Sequence, residues 1–212
     1  MCDIKFRIAK PSDAKQIANC HWRVRDRYTK GFFLSMGKSF LVTYYKIVLD
    51  DPWEVIVCAE SESGQIVGFA STTMNSKKQM ENLKKHKLKL FVSAIFAIIK
   101  KPTLIKEILL RFKSLNSKNG SVFFSNSGVR GEYWCWLKDE ESLKSVEMSK
   151  VKNNILYDLG IRELNFEVDK FNTAVYKYHL KVNKAEPIEE KVLPDGRVRV
   201  LMKKVLYKDY GN

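Results

Sequence analysis

The cysteines and histidines, which could serve metal, nucleophilic or acid–base chemistry, are few in this chain and are spread along it. The four cysteines are far apart, at Cys2, Cys20, Cys58 and Cys135. They form neither a CxxC pair nor a Cys/His cluster with zinc-site spacing, which argues against disulfides and against a metal site. The three histidines can move a proton near neutral pH, and so can any of the 24 acidic residues, among which composition alone does not choose.

The elements that must position these side chains belong to a folded globular chain. The 212 residues are 45% hydrophobic and 12% aromatic, which predicts a single domain over 1–212. The N-terminal residues 1–15 carry a charge every few positions and no apolar segment, so they do not resemble a secretory signal. We therefore expect a cytoplasmic protein.

Positive charge is concentrated in one segment of the chain. Between Asn75 and Lys118, twelve Lys and Arg residues face only Glu81 and Glu107, so this segment holds +10 of the formal net charge of +14. Such a segment suits a nucleic acid, an anionic membrane surface or a phosphorylated ligand, and charge alone does not choose among them.

Hydrophobic periodicity in the first third of the chain predicts a strand, two helices and a hairpin. Apolar residues alternate over 4–8, and helical spacing follows Asp13 and recurs over 37–49. The β-branched runs at 53–59 and 65–74 flank a Gly-containing turn, which is typical of a β-hairpin.

The basic segment, at about 75–118, is predicted to be a helical hairpin inserted between strands. One helix has a predicted buried face that consists of Leu88, Phe91, Val92, Ile95 and Ile99. Pro102 ends this helix, and a second amphipathic helix is predicted over 104–112. The apolar stretch of the first helix is about twelve residues long, too short for the ~20 residues that cross a bilayer.

The last third alternates strands and helices. Strand segments are predicted at 122–124, 133–137 and 161–168. A helix ending at Gly160 has a predicted buried stripe of Val151, Ile155, Leu156 and Leu159. A short helix is predicted from Asn172 onward, and a hairpin with a Pro-Asp-Gly turn over 192–206.

Three stretches of this sequence resemble the GNAT superfamily of N-acetyltransferases. The first is IAKPSDAKQIANCH followed by GFFLSMGKSFLVTYYKIVLDDPWEVIVCAESESGQIVGFAST, and the second is LGIRELNFEVDKFNTAV. The third, NTAVYKYHLKVNK, aligns with the family pattern N-x-x-A-x-x-x-Y-x-K-x-G-F. There Lys181 matches the pattern, whereas His179 stands in the place of the tyrosine. The resemblance covers nearly the whole chain apart from 75–118.

The resemblance implies an α/β (α+β) fold, with a GNAT-like mixed central sheet flanked by helices and a basic helical-hairpin insertion. It also implies transfer of an acyl group, most simply acetyl, from acetyl-CoA or another acyl-CoA to a primary amine of a small, anionic acceptor. One stretch departs from the family: the glycine-containing pyrophosphate loop is replaced by EESLKS at 140–145. A catalytically inactive GNAT-fold binding or regulatory module is therefore the alternative.

By the same resemblance, the thioester lies in a gap between two diverging parallel strands. Main-chain groups of Trp134, Cys135 and Trp136 then polarise its carbonyl. Glu132 is the first candidate for the general base and His21 the second, while His179 is the candidate donor to the leaving thiolate. The expected cofactor-binding residues are Trp136, Leu137, Lys138, Ser142, Lys144, Ser145 and Asn172.

Each catalytic candidate also has a structural interpretation. Glu132 fits a solvated strand end, His21 a polar helix position, and His179 a cap on the core.

The insertion allows several kinds of partner. Its lysines fit a solvated helix face, peripheral contact with a membrane, or a pocket for an anionic acceptor such as a sugar nucleotide. Nucleic acid is disfavoured, because the only aromatics of the segment, Phe91, Phe96 and Phe112, lie at apolar-face spacing and no reading motif is present. The sequence leaves the oligomeric state open.

Overall fold

The protein is built on a seven-stranded mixed sheet with helices packed against it. The computed structural model describes residues 4–25, 35–106, 108–109, 127–137, 142–193 and 196–208. The strands are β1 (Ile4–Ile8), β2 (Glu54–Ser61), β3 (Ile66–Thr73), β4 (Arg130–Trp136), β5 (Glu163–Asp169), β6 (Glu186–Val192) and β7 (Val198–Val205). The helices are α1 (Ala14–Arg23), α2 (Gly37–Leu49), α3 (Ser76–Lys85), α4 (Lys87–Lys100), α5 (Ser142–Asp158) and α6 (Thr173–Lys181).

The strand order is β1-β2-β3-β4-β5-β7-β6, which confirms the predicted mixed sheet. Strands β4 and β5 are parallel, and the other neighbours are antiparallel. Strand β3 is buried at all eight positions, so both of its faces are covered. Helices α1 and α2 pack together and against the sheet, and α5 packs against β2 and β3.

Strands β4 and β5 pair only at their beginning. The pairs are Arg130 with Asn165 and Gly131 with Phe166, although β4 continues to Trp136 and β5 to Asp169. The hydrophobic core divides at the same place into one cluster around β1–β4 and another around β5 and β7. The sheet therefore opens between these two strands.

A β-bulge in the β3–β4 ladder lies beside this opening. The register shifts between Ala70 and Thr72, and the Tyr133 N–H donates to Ser71 Oγ at 3.0 Å. A bulge puts two residues opposite one and turns a side chain to the other face. Here Glu132 and Tyr133 both contact Tyr44 of α2, as they could not in a regular strand.

The described part of the insertion, up to residue 109, is helical as predicted, but its predicted buried face is wrong. Helices α3 and α4 are followed by helical residues at 103–106 and 108–109. The exposed residues of α4 include all five of the predicted face, Leu88, Phe91, Val92, Ile95 and Ile99. Ala94 and Ile98 are buried instead, on the side of α4 that packs against α2 and the core.

Helix α5 buries most of the predicted stripe and adjacent polar positions as well. Leu156 is buried, and Val151 and Ile155 are half-buried against the core, whereas Leu159 lies beyond the end of the helix and is 54% exposed. Its buried positions are largely polar, namely Ser145, Met148, Ser149, Lys152, Asn153 and Leu156. The predicted strand at 122–124 and the turn residues Pro194 and Asp195 lie outside the described residues.

The remaining predicted elements are confirmed. Leu164, Phe166 and Val168 are the buried residues of β5, and α6 begins after Asn172. None of the helices in the described ranges is both long enough and apolar enough to cross a membrane.

The close packing of β3 against β4 yields a prediction about Gly68. A Cβ at this position would lie 2.6 Å from Trp136 Cζ3 and 3.1 Å from the Cys135 carbonyl oxygen. We expect Gly68→Ala to lower the free energy of unfolding by about 1–3 kcal/mol, measured by urea denaturation, because the indole must move. In a Trp136→Ala background the same substitution should cost much less. An equal loss in both backgrounds would contradict this account.

Candidate active site

On the side of β4 that faces α2, Glu132 is held in a buried ion pair. Its Oε1 lies 2.7 Å from Arg130 Nη2, and its Oε2 accepts from the Tyr44 hydroxyl at 3.3 Å. Both charged side chains are less than a tenth exposed. Glu132 is therefore not at a solvated strand end, because the bulge turns this carboxylate inward against α2.

A second carboxylate, Glu54 of β2, lies in the same cluster. Its Oε1 accepts from Gln79 Nε2 at 2.6 Å, while its buried Oε2 has no hydrogen-bond partner among the described residues. Burial, and after it the negative charge of Glu132, raises the pKa of Glu54 well above its usual range. Glu54 is therefore protonated more readily than an ordinary glutamate, beside an ion-paired carboxylate.

The insertion reaches this cluster through Gln79 of α3. The side chain is 1% exposed, and besides donating to Glu54 it accepts from Arg130 Nη2 at 3.0 Å. A second hydrogen bond joins α3 to the residues before β2, because Asn82 Nδ2 donates to Asp51 Oδ2 at 2.8 Å. The insertion therefore has a lysine-rich surface and is also hydrogen-bonded to the interior polar cluster.

His21 lies on the same side but is part of the core. Its Nδ1 is 2.8 Å from the Tyr45 hydroxyl, and its ring centroid is 4.8 Å from that of Tyr133. Burial lowers the pKa of His21 to about 4, so the ring is neutral at physiological pH and is a weak base. We assign His21 to packing, and Glu132 remains the candidate base.

An aromatic cluster lies on the side of β4 that faces α6. The Trp134 ring is 5.0 Å from that of Tyr178 and 5.8 Å from that of His179, which lies 4.5 Å from Phe166 of β5. His179 thus bridges the two strands that diverge, as the sequence alignment requires. Glu132 and His179 lie on opposite sides of the opening.

The hydrogen bonds of His179 fix its tautomer. Lys204 donates to the Asn183 Oδ1, so the Asn183 amide nitrogen donates to His179 Nδ1, at 2.9 Å. The ring proton is then on Nε2. Burial, and after it the positive charges of Lys152 and Lys204, lower the pKa of His179 to about 3. His179 is therefore a neutral hydrogen-bond donor and does not supply a proton as imidazolium near pH 7.

On the side of β4 that faces α6, Lys152 of α5 is the charged group that could donate a proton near neutral pH. It is 8% exposed, and burial followed by the charge of Lys204 lowers its pKa to about 8. Two buried polar atoms, Trp134 Nε1 and Asn153 Oδ1, have no hydrogen-bond partner in the described part of the chain. Such atoms are rare in native interiors and mark a place where a polar ligand can bind.

The main chain of β4 presents a donor to the opening. Leu137 N–H bonds to the Val67 carbonyl and Tyr133 N–H to Ser71, both on the β3 side. Because strand amides alternate in direction, the Trp134 N–H points to the β5 side. Within the described ranges β5 provides no pairing residue at Trp134. Cys135, which pairs with Phe69, faces β3 and is not such a donor.

The predicted cofactor residues are only partly gathered here. Trp136 packs on Gly68 of β3, and Leu137 is buried beside it. Lys144 forms an ion pair with Glu147 at 2.9 Å, and Ser145 is buried on the sheet side of α5. Ser142 begins α5, and Lys138 lies outside the described residues.

Asn172 stays at the surface and caps α6. Its Oδ1 accepts from the Val175 N–H at 3.4 Å. The amide nitrogen is the part of this side chain that could contact a ligand.

Sequence reasoning missed Arg130, Glu54, Gln79 and Lys152. Lys152 had a signal, because it interrupts an i, i+4 row between Met148 and Leu156 on a buried helix face. Gln79 had no such sequence signal, because it lies in a lysine-rich helix without apolar periodicity.

The structure was compared with known proteins. No protein-family model and no curated protein matches the chain. A GNAT-family acetyltransferase from Bacillus cereus ATCC 10987 matches 97% of this chain and 99% of its own, with 10% identity and a TM-score of 0.55. The protein yncA from Salmonella typhimurium, solved with its cofactor acetyl-CoA, matches 99% of this chain and 98% of its own, with 9% identity and a TM-score of 0.57.

The mosquito protein named arylalkylamine N-acetyltransferase like 5b matches 96% of this chain and all of its own, with 12% identity and a TM-score of 0.54. At such low identity these likenesses establish the architecture. The chain has the GNAT fold, as its sequence resemblance implied.

The raised pKa of Glu54 yields a prediction about stability. The unfolded chain releases the Glu54 proton in the ordinary glutamate range, about pH 4.3, whereas the folded chain keeps it to higher pH. Stability therefore falls as pH rises from the unfolded pKa to the folded pKa. Glu54→Gln removes this penalty, so urea denaturation should give a higher free energy of unfolding than wild type at pH 7.

The pH-dependent part of this gain should disappear below about pH 4, where both states are protonated. The exposed Glu189→Gln on β6 is the matched control for loss of one carboxylate. A gain that is the same at all pH values would contradict the account.

Proposed function

We propose that the protein is an acyl-CoA-dependent N-acyltransferase that transfers acetyl from acetyl-CoA to a primary amine of a small, anionic acceptor. The observation that carries the proposal is the separation of β4 from β5 after two paired residues, with the Trp134 N–H directed into the opening. A main-chain donor at this place stabilises the negative charge that develops on the thioester carbonyl oxygen. The GNAT fold and the acetyl-CoA bound to yncA support the choice of co-substrate.

The residues around the opening suit the pantetheine arm of acetyl-CoA. This arm carries amide groups, which can pair with the otherwise unsatisfied Trp134 Nε1 and Asn153 Oδ1. The polar buried face of α5, with Ser149 and Lys152, lines the same side. The N-terminus of α5 favours a pyrophosphate, and Ser142, Lys144 and Ser145 belong to this end. Lys138, which precedes this helix in the sequence, is proposed to join them. Asn172 and the main chain of Trp136 and Leu137 complete the proposed binding set.

The amine is proposed to approach from the α2 side, where Glu132 is held by Arg130 and Tyr44. Glu132 accepts the proton that the amine loses when its nitrogen bonds to the acyl carbon. The carbon–sulfur bond then breaks. His179 donates a hydrogen bond from Nε2 to the leaving sulfur, and Lys152 supplies the proton that makes the free thiol.

The acceptor is proposed to be anionic because the basic insertion is bonded to the acid cluster through Gln79. Positive potential at the entrance raises the local concentration of a negatively charged substrate. A sugar nucleotide bearing an amino group has this chemistry. We place the reaction in the cytoplasm, where thiols such as buried Cys20, Cys58 and Cys135 stay reduced.

Binding of the co-substrate is tested through Trp134. Titration with acetyl-CoA should change the tryptophan fluorescence of the wild-type protein, because the Trp134 indole N–H gains a partner. In Trp134→Phe the change should be lost and the affinity should fall about three- to tenfold, as expected for one hydrogen bond. Trp53→Phe, at a half-exposed position far from α6 in sequence, is the control.

The same proteins are then given amines, and the release of free thiol is measured. Amino sugar nucleotides should be acetylated faster than neutral arylalkylamines, and Glu132→Gln should abolish most of the turnover. Absence of binding at millimolar acetyl-CoA would overturn the proposal in favour of an inactive binding or regulatory module, since 100-fold saturation should add about 2.7 kcal/mol of stability.

The role of Lys152 predicts a pH profile. Turnover should fall as pH rises through about 8, because Lys152 then loses its proton. Lys152→Met should lower kcat about a hundredfold and flatten this alkaline limb, whereas Lys150→Met, exposed on the same helix, should do neither.

The stability of Lys152→Met gives a second readout. The folded pKa of Lys152 lies below that of the unfolded chain, so its burial opposes folding at neutral pH and this cost declines between about pH 8 and 10.5. The variant should therefore be more stable than wild type at pH 7 by on the order of 2–4 kcal/mol, and the gain should shrink in alkali. An unchanged alkaline limb would remove Lys152 from the mechanism.

A further inference from the structure

The outer side of the insertion is an apolar surface, defined by α4 and the helical residues after it. Its members are Leu88, Phe91, Val92, Ile95, Phe96, Ile99, Ile105 and Leu109, all exposed. The exposed fraction reaches 72% at Leu88, 77% at Phe96 and 68% at Ile99. Single exposed apolar side chains are ordinary, but a contiguous set of this size marks a binding surface.

The apolar surface is not left over from weak packing of α4. The opposite side of the helix is buried against the core, with Ala94 at 0% and Ile98 at 9% exposed. Because α4 packs on α2 through these residues, the larger side chains are fixed in the outward direction. The helix is therefore anchored with its more apolar side to the outside.

Lysines surround this surface. From Ser76 to Lys106 the sequence contains nine lysines and one acidic residue, Glu81. Seven of these lysines, all exposed, lie next to or within the helical segment, at Lys84, Lys85, Lys87, Lys89, Lys100, Lys101 and Lys106. On a helical projection Lys89 and Lys100 both lie next to Phe96, at one edge of the apolar arc. Apolar and cationic side chains thus share one side of the molecule.

We propose that this surface, with α4 parallel to the membrane, binds an anionic lipid bilayer. The apolar side chains would enter the boundary between head groups and acyl chains, while the lysines contact anionic head groups. The 14 residues of α4 form a rod of about 21 Å, which lies in the interface rather than spanning it. This inference does not depend on the proposed acetyltransferase activity.

The charge pattern distinguishes a bilayer from the other possible occupants. A second copy of the chain would bring two lysine clusters together, and lysine is depleted in protein interfaces. A nucleic acid would pair with the lysines but would leave Phe91, Phe96 and Ile99 facing water. An anionic bilayer alone offers negative charge and hydrocarbon over the same area.

The test is sedimentation of the full chain with vesicles of phosphatidylcholine, with or without phosphatidylglycerol. We expect binding to the anionic vesicles only, and weaker binding at high salt. Phe96→Ser/Ile99→Ser should lower the partition coefficient more than tenfold, and Lys89→Gln/Lys100→Gln about fivefold for each lysine. Because all four side chains are exposed, the variants should keep the wild-type unfolding curve.

Two matched controls should bind like the wild type. Ile188→Ser/Val192→Ser removes two exposed apolar side chains from β6, and Lys5→Gln/Lys15→Gln removes two exposed charges from the N-terminal region. Equal binding to neutral vesicles, or binding that survives both α4 variants, would overturn the proposal. A dimer in vesicle-free solution that dissociates on Phe96→Ser/Ile99→Ser, seen by light scattering, would overturn it in favour of self-association. DNA retention without vesicle binding would do so in favour of nucleic acid.

Discussion

The separation of two parallel strands is the constraint on which the rest of the structure depends. Strands β4 and β5 pair through Arg130 and Gly131 and then diverge. The divergence has a cost, because it leaves strand groups without ladder partners and divides the hydrophobic core. Everything that could perform chemistry lies around this opening. Glu132 is on one side, His179 on the other, and the Trp134 N–H between them.

The two sides of the opening differ in charge. Beside α2, the buried ion pair of Arg130 with Glu132 is joined to Glu54 through Gln79. A buried ion pair is stable only when its remaining donors and acceptors are bonded, and Gln79 accepts one further hydrogen bond from Arg130. Beside α6, burial, and after it the positive charges of Lys152 and Lys204, keep His179 neutral. The proposed proton acceptor, Glu132, is thereby separated by β4 from the proposed donors His179 and Lys152.

The insertion packs against the interior of the protein and also presents side chains to the outside. Gln79 of α3 joins it to the acid cluster, and Ala94 and Ile98 of α4 join it to the core. With both helices fixed from within, the outward side chains of α4 are held as a preformed surface. Preformed surfaces lose little conformational entropy on binding. The same helical pair thus serves the packing of the fold and presents the surface proposed to bind a bilayer.

Much of the fold could be predicted from the sequence, because the period of apolar residues determines whether a segment is a strand or a helix. The alternation in 4–8 and in β5, the hairpin of β2 and β3 and the Asn172 cap all follow from local chemistry. The alignment with GNAT proteins also put His179 at the diverging strands, where the structure has it. Local sequence signals sufficed for these features because they arise from interactions between residues that are close together in the sequence.

Tertiary structure decided what local sequence could not. Helix α4 is apolar on most of its circumference, so only its packing on α2 determined which face is buried. The bulge that turns Glu132 inward depends on Ser71, and the low pKa of His179 depends on Lys152 and Lys204 from other elements. The sequence determined which groups are present and in which elements they lie. Only the fold determined their charge and direction, because both depend on neighbours that are distant along the chain.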